Sequence, residues 1–129
     1  MTETVSIVIV SHSRSVAEGT REMVRQMVGD EVKVIACGGN PAGGLGTDVG
    51  QIMQALKDAY TPKGVVVCVD LGGAETNSEM AIEMMDEHMQ KNILICDAAI
   101  VEGAIMAATE ASSGSSLESV KQAAEDYGS

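Results

Sequence analysis

Four short apolar runs, rich in β-branched residues, recur along the chain. They are separated by longer stretches in which apolar residues return every three or four positions. The runs Val5–Val10, Val32–Cys37, Val65–Val69 and Ile93–Cys96 predict strands. The stretches between and after them predict helices over about Ser15–Val28, from Thr47 or Asp48 to about Tyr60, about Thr76–His88, about Gly103–Ser112 and Leu117–Tyr127. Thr20, Met23, Val24, Met27 and Val28 form the expected inner face of the first helix, and the last helix reads as short and polar. Gly29-Asp30 stops the first helix, Thr61-Pro62-Lys63-Gly64 is a turn, and Asp97–Glu102 reads as a connecting loop. Strands apolar throughout are buried on both faces. The alternation therefore implies an α/β fold: an open, doubly wound, four-stranded parallel sheet of order 2-1-3-4 with helices on both faces. Residues 1–129 read as one domain.

In such a sheet, ligands meet the carboxyl ends of the strands where the strand order reverses. Here that point lies between strands one and three. Strand one stops abruptly at Ser11-His12-Ser13, and strand three ends in Asp70-Leu71-Gly72-Gly73. The loop after strand two, from Gly38 to Asp48, holds five glycines and a proline. His12 is the expected reactive group: a histidine at the start of a helix, where outward-pointing amides and the helix dipole favour an anion. Asp70 is placed to accept a hydrogen bond from one ring nitrogen, fixing the tautomer and leaving the other free to attack. Ser11, Ser13 and Thr47 supply hydroxyls. Gly43, Gly44, Gly46, Gly72 and Gly73 let backbone approach a phosphate closely. His88 reads as a helix-end histidine, and the methionines of helix three as core filler or a face for a second copy.

Composition narrows the field. Nineteen acids against eight bases give a net charge of −11, which argues against nucleic acid and against an anionic membrane surface. With no Trp or Phe and only two Tyr, the chain has no aromatic platform for a base, flavin or sugar ring. Cys37, Cys68 and Cys96 lack metal-type spacing and read as small buried hydrophobes of a reducing cytoplasm. No apolar run reaches membrane-spanning length and no leader is recognisable. The Walker, Rossmann and nucleophile-elbow motifs are absent, and neither a metal nor a cofactor is called for.

The segments Val10-Ser11-His12-Ser13, Ala17-x-Gly19, Gly46-Thr47-Asp48, Asp70-x-Gly72, Glu79-x-Ala81-x-Glu83 and Val101-Glu102-Gly103 together resemble the mannose-type enzyme IIA family. The resemblance is to the branch that supplies phosphotransferase subunits of phosphoenolpyruvate-dependent dihydroxyacetone kinases. It implies a cytoplasmic phosphocarrier, typically homodimeric, whose histidine, matched by His12, takes a phosphoryl group from HPr. The group then passes to ADP on the kinase's nucleotide-binding subunit, and the aspartate that orients the histidine matches Asp70. Leu71 stands where mannose-transporter relatives carry a tryptophan, which favours the dihydroxyacetone branch. Two alternatives remain at this point. One is a regulatory enzyme IIA relative whose phosphorylation state controls a partner; the other is a small α/β enzyme using His12 as a base.

Overall fold

A computed structural model describes residues 3–127; Met1, Thr2, Gly128 and Ser129, the outer ends of the expected domain, lie outside it. Its elements run β1 (Ser6–Ser11), α1 (Arg14–Val28), β2 (Val34–Gly38), α2 (Val49–Ala59), β3 (Val65–Val69), α3 (Gly72–Glu83), α4 (Glu87–Gln90), β4 (Ile93–Cys96), α5 (Ile100–Ser112) and α6 (Leu117–Tyr127). The four strands form one all-parallel sheet of order β2-β1-β3-β4, as the apolar runs predict. Register sets Val10 beside Cys37 on one side and Val69 on the other, so β1 and β3 end within one residue of each other.

Residues alternate across the strands and build a core on each face. Ile7 and Ile9 pack with Ala17, Val24, Ala104, Ala107 and Ala111 on the side of α1, α5 and α6. Val8 and Val10 pack with Ile52, Leu56, Ala74 and Ala81 on the side of α2 and α3. Alanines let α5 lie close to its neighbours: a Cβ added at Gly103 would come within 2.9 Å of the Ala98 Cβ.

Four local expectations are corrected. In α1 the buried stripe is Ala17, Thr20 and Val24, while Met23 is 50% and Met27 65% exposed. The helix is rotated by about one residue from the face its larger apolar side chains suggest, because alanine suffices where the helix meets the sheet. Helix three begins at Gly72 rather than Thr76 and ends at Glu83, where Met84 makes tight bonds back to Ala81 and Ile82; His88 falls in the separate turn α4, edge-on to Tyr60. Of its methionines, Met85 is buried whereas Met80 and Met84 are exposed. The fourth predicted helix starts at Ile100, inside the stretch expected to be a loop. The last helix is polar only on its outside: Val120 and Ala124 are fully buried and Leu117 packs against the same core. That narrow stripe of three residues is diluted by the charges around it.

Candidate functional site

His12 is the first residue beyond β1, and Asp70 the first beyond β3. Nearly level strand ends bring them together: His12 Nδ1 lies 3.0 Å from Asp70 Oδ1. The same carboxylate oxygen accepts from the Leu71 N–H at 2.7 Å. The other oxygen, Oδ2, accepts the Ser11 hydroxyl at 2.7 Å and the His12 N–H at 3.0 Å. Burial by itself would raise the Asp70 carboxyl, but these four hydrogen bonds outweigh it and hold the group below its ordinary value. Asp70 is therefore an anion that only accepts. The proton between them therefore belongs to Nδ1 of His12, which leaves Nε2 as the lone-pair nitrogen of the neutral ring. The pair is neither sealed nor bare, with side chains 28% and 19% exposed.

Ser11 was expected to face a phosphate. Instead it is fully buried, donates to Asp70, and accepts the Ser13 N–H at 3.0 Å. It joins the carboxylate to the start of α1. Ser13 is the N-cap of that helix, its hydroxyl accepting from the Val16 N–H at 3.3 Å.

The start of α3 differs. Its N-cap, Leu71, offers no side-chain bond and is 63% exposed. Ala74 and Glu75 donate to the Leu71 carbonyl, so the first bonded amides come after Gly72 and Gly73, whose N–H groups point out of the helix end. Gly73 lies directly beside the histidine. A Cβ at this position would sit 3.1 Å from His12 Nε2, so only glycine leaves clear space next to the free nitrogen.

The glycine loop after β2 is organised by Asn40, a residue that sequence reasoning missed. Its Oδ1 accepts the Ala42 and Gly44 amides at 2.9 and 3.0 Å, and its carbonyl accepts the Gly43 amide at 3.0 Å. The N–H groups of Gly43 and Gly44 thus turn inward on the loop. Gly46 reaches the site instead, donating to the His12 carbonyl at 2.8 Å. Gly38 permits this closeness, since a Cβ there would lie 2.8 Å from the Ser11 carbonyl oxygen. Asp48 caps α2 through the Gln51 amide, and Thr47 meets Asn77 of α3, whose Nδ2 donates to Thr47 Oγ1 at 2.6 Å. Asn77 was invisible to the sequence reading because α3 was expected to start at Thr76; with the helix beginning at Gly72, Asn77 falls on its second turn.

Two of the cysteines stand apart from this chemistry, while Cys37, expected to be buried, is only partly so. Cys68 and Cys96 are buried register partners on β3 and β4, their sulfurs 3.6 Å apart, and the hydrogen bond with the Cys96 thiol, with burial, pushes Cys68 up. No helix among the described residues is long and apolar enough to cross a membrane.

The chain is similar to several known proteins. The phosphoryl donor subunit DhaM of phosphoenolpyruvate-dependent dihydroxyacetone kinase 2 from Listeria innocua is 36% identical over 92% of this chain and 94% of its own length. The corresponding subunit from Escherichia coli is 34% identical over 90% of this chain, which spans only 25% of that longer protein. A crystal structure of a protein of unknown function, EF1359, superposes with a TM-score of 0.85 at 31% identity, covering 95% of this chain and 94% of that one. Residues 6–121 match the EIIA-man family, described as the fructose IIA component of the phosphotransferase system, and the chain belongs to that family.

Proposed function

We propose that this chain is a phosphohistidine carrier that takes a phosphoryl group onto Nε2 of His12 from the phosphohistidine of HPr. It then delivers the group to ADP bound on the nucleotide-binding subunit of a dihydroxyacetone kinase. The reading rests on one observation above others: a saturated, anionic Asp70 holds Nδ1–H of His12 and leaves Nε2 with no partner among the described residues, beside glycine amides that begin a helix. The names of its relatives, phosphoryl donor subunits of such kinases, support a kinase as the destination of the group.

The transfer is a balanced displacement. The Nε2 lone pair forms a bond to phosphorus as the nitrogen–phosphorus bond of the donor breaks, and the departing pair returns to the donor imidazole. The ring of His12 keeps its Nδ1 proton and becomes cationic, and Asp70 faces that charge. Gly72 and Gly73 amides donate to phosphoryl oxygens in this reading. In the second half-reaction a terminal oxygen of ADP attacks, and the electrons of the Nε2–phosphorus bond return to the ring. No water or metal is needed to balance either step. The carrier is proposed to act in the cytoplasm as a homodimer, its mass to be read by equilibrium sedimentation.

Intact mass after mixing the chain with phosphoenolpyruvate, enzyme I and HPr tests this directly. One acid-labile phosphoryl adduct is expected, and none in His12→Gln. Failure to form it, with the carriers shown active on another enzyme IIA, would sink the proposal. An adduct that forms but is never discharged to ADP on the kinase subunit would favour a regulatory partner instead.

A further inference from the structure

We propose that Asn77 is a positioning residue that fixes the polarity of the Thr47 hydroxyl, so that Thr47 donates its proton to the transferred phosphoryl group. The inference rests on the carrier reading above and assigns a role to two residues that this reading does not use.

One face of α3 looks onto the site. Gly73 directs its missing side chain at His12 Nε2. Asn77 is four residues further on, so it shares that face, and side chains on a helix lean toward its N-terminus, here toward Gly73 and the ring. Across from it, Gly46 clamps the glycine loop to the His12 carbonyl, and Thr47 is the next residue. Thr47 Oγ1 therefore lies between a loop tied to the backbone of His12 and the helix turn beyond its ring, held by Asn77 Nδ2 at 2.6 Å.

Hydrogen-bond chemistry decides what the hydroxyl does there. An amide NH₂ group only donates, so Thr47 Oγ1 accepts at this contact. Its own proton goes to no acceptor among the described residues. The hydroxyl is left as a donor, on the face of α3 that also carries Gly73 and on a loop bonded to the His12 carbonyl, the side of the site at which a group with three charged oxygens would arrive. The α3 amides serve one part of that group and Thr47 another, in bonds strengthened by the ligand's charge. Were Asn77 only a brace between helix and loop, the direction of its bond to Thr47 would not matter.

That difference is measurable by single-turnover transfer from phosphorylated HPr. Asn77→Ala removes the contact, whereas Asn77→Asp keeps its size and reverses it, drawing the Thr47 proton onto a carboxylate. The Asp variant should load about tenfold to a hundredfold more slowly than wild type and more slowly than the Ala variant. On a Thr47→Val background the gap between the two should shrink to within about threefold. Equal rates for Asn77→Asp and Asn77→Ala, or a gap that persists without the hydroxyl, would overturn the inference; the latter would mean that the new charge acts on phosphate directly. Thr47→Val alone, in a chain whose melting confirms folding, should be slowed about tenfold while Thr47→Ser is not, and an unchanged rate in Thr47→Val would also overturn it. A wild-type chain that takes no phosphoryl group at all would instead remove the carrier reading on which the inference stands.

Discussion

Two helices start within a few residues of His12, and they start in opposite ways. Helix α1 supplies its own cap: Ser11 takes the Ser13 amide, and Ser13 takes the Val16 amide. Helix α3 begins on an exposed leucine and two glycines, with no side-chain cap. The sequence reading placed the anion-favouring helix end at α1, immediately after the histidine. The structure shows α1 partly satisfied from within, and α3, reached across the sheet through Asp70, is the end left open. A helix N-terminus attracts an anion in proportion to the donors it has not already given away.

Closing the open end should have the largest effect. Leu71→Asp gives α3 the cap it lacks, so the chain should gain about 1 kcal/mol of stability. The new carboxylate would occupy the amides, and single-turnover transfer should fall about a hundredfold. A variant that is stabilised and still transfers normally would remove α3 from the site. Asp70→Asn, which loosens the link between the two helix starts, should cost somewhat less, about thirtyfold, the loss of one hydrogen bond to a charged group. It should also change the response to acid. The folded-state carboxyl of Asp70 is lowered, so its contribution to stability is full above the unfolded pKa and is lost as pH falls through the folded one. Urea midpoints of wild type should therefore drop below about pH 4 more steeply than those of Asp70→Asn; parallel curves would contradict the hydrogen-bond account.

Gly73→Ala sharpens the comparison at a single atom. Its methyl would lie 3.1 Å from Nε2, tighter than ordinary contact, and transfer should slow about tenfold with little change in melting temperature. The smallest effect on transfer belongs to the capped helix. Ser13→Ala should cost about 1 kcal/mol of stability and change the transfer rate by no more than about twofold. A large rate loss there would return α1 to the phosphate site.

The contrast also explains what was legible in advance. Strand order and the meeting of His12 with Asp70 follow from where apolar runs stop, and a stop is visible in the letters. The roles of Ser11, Asn40 and Asn77 depend on register and on side-chain direction. Ser11 reads as an exposed hydroxyl until the nearly level ends of β1 and β3 set it against Asp70. Asn77 gains its meaning only once Gly72 and Gly73 are helix rather than loop. Met23 and Met27 misled for a related reason: hydrophobicity marks what tolerates burial, whereas packing against a sheet favours what is small, and Ala17 took the inner place.

The four donors around Asp70 have a consequence for energy level as well as for orientation. A carrier between two partners must not become a sink: its loaded form has to lie near both the donor and the product in phosphoryl-transfer potential. A bare carboxylate against the cationic ring of a phosphohistidine would stabilise the loaded state strongly and make discharge uphill. Because Asp70 already shares its charge with Ser11, Leu71 and the His12 amide, its pull on the ring is tempered. On the proposed carrier reading, the same bonds that hold the histidine still would also keep its cargo exchangeable, so that the relay could run in either direction according to which partner is loaded.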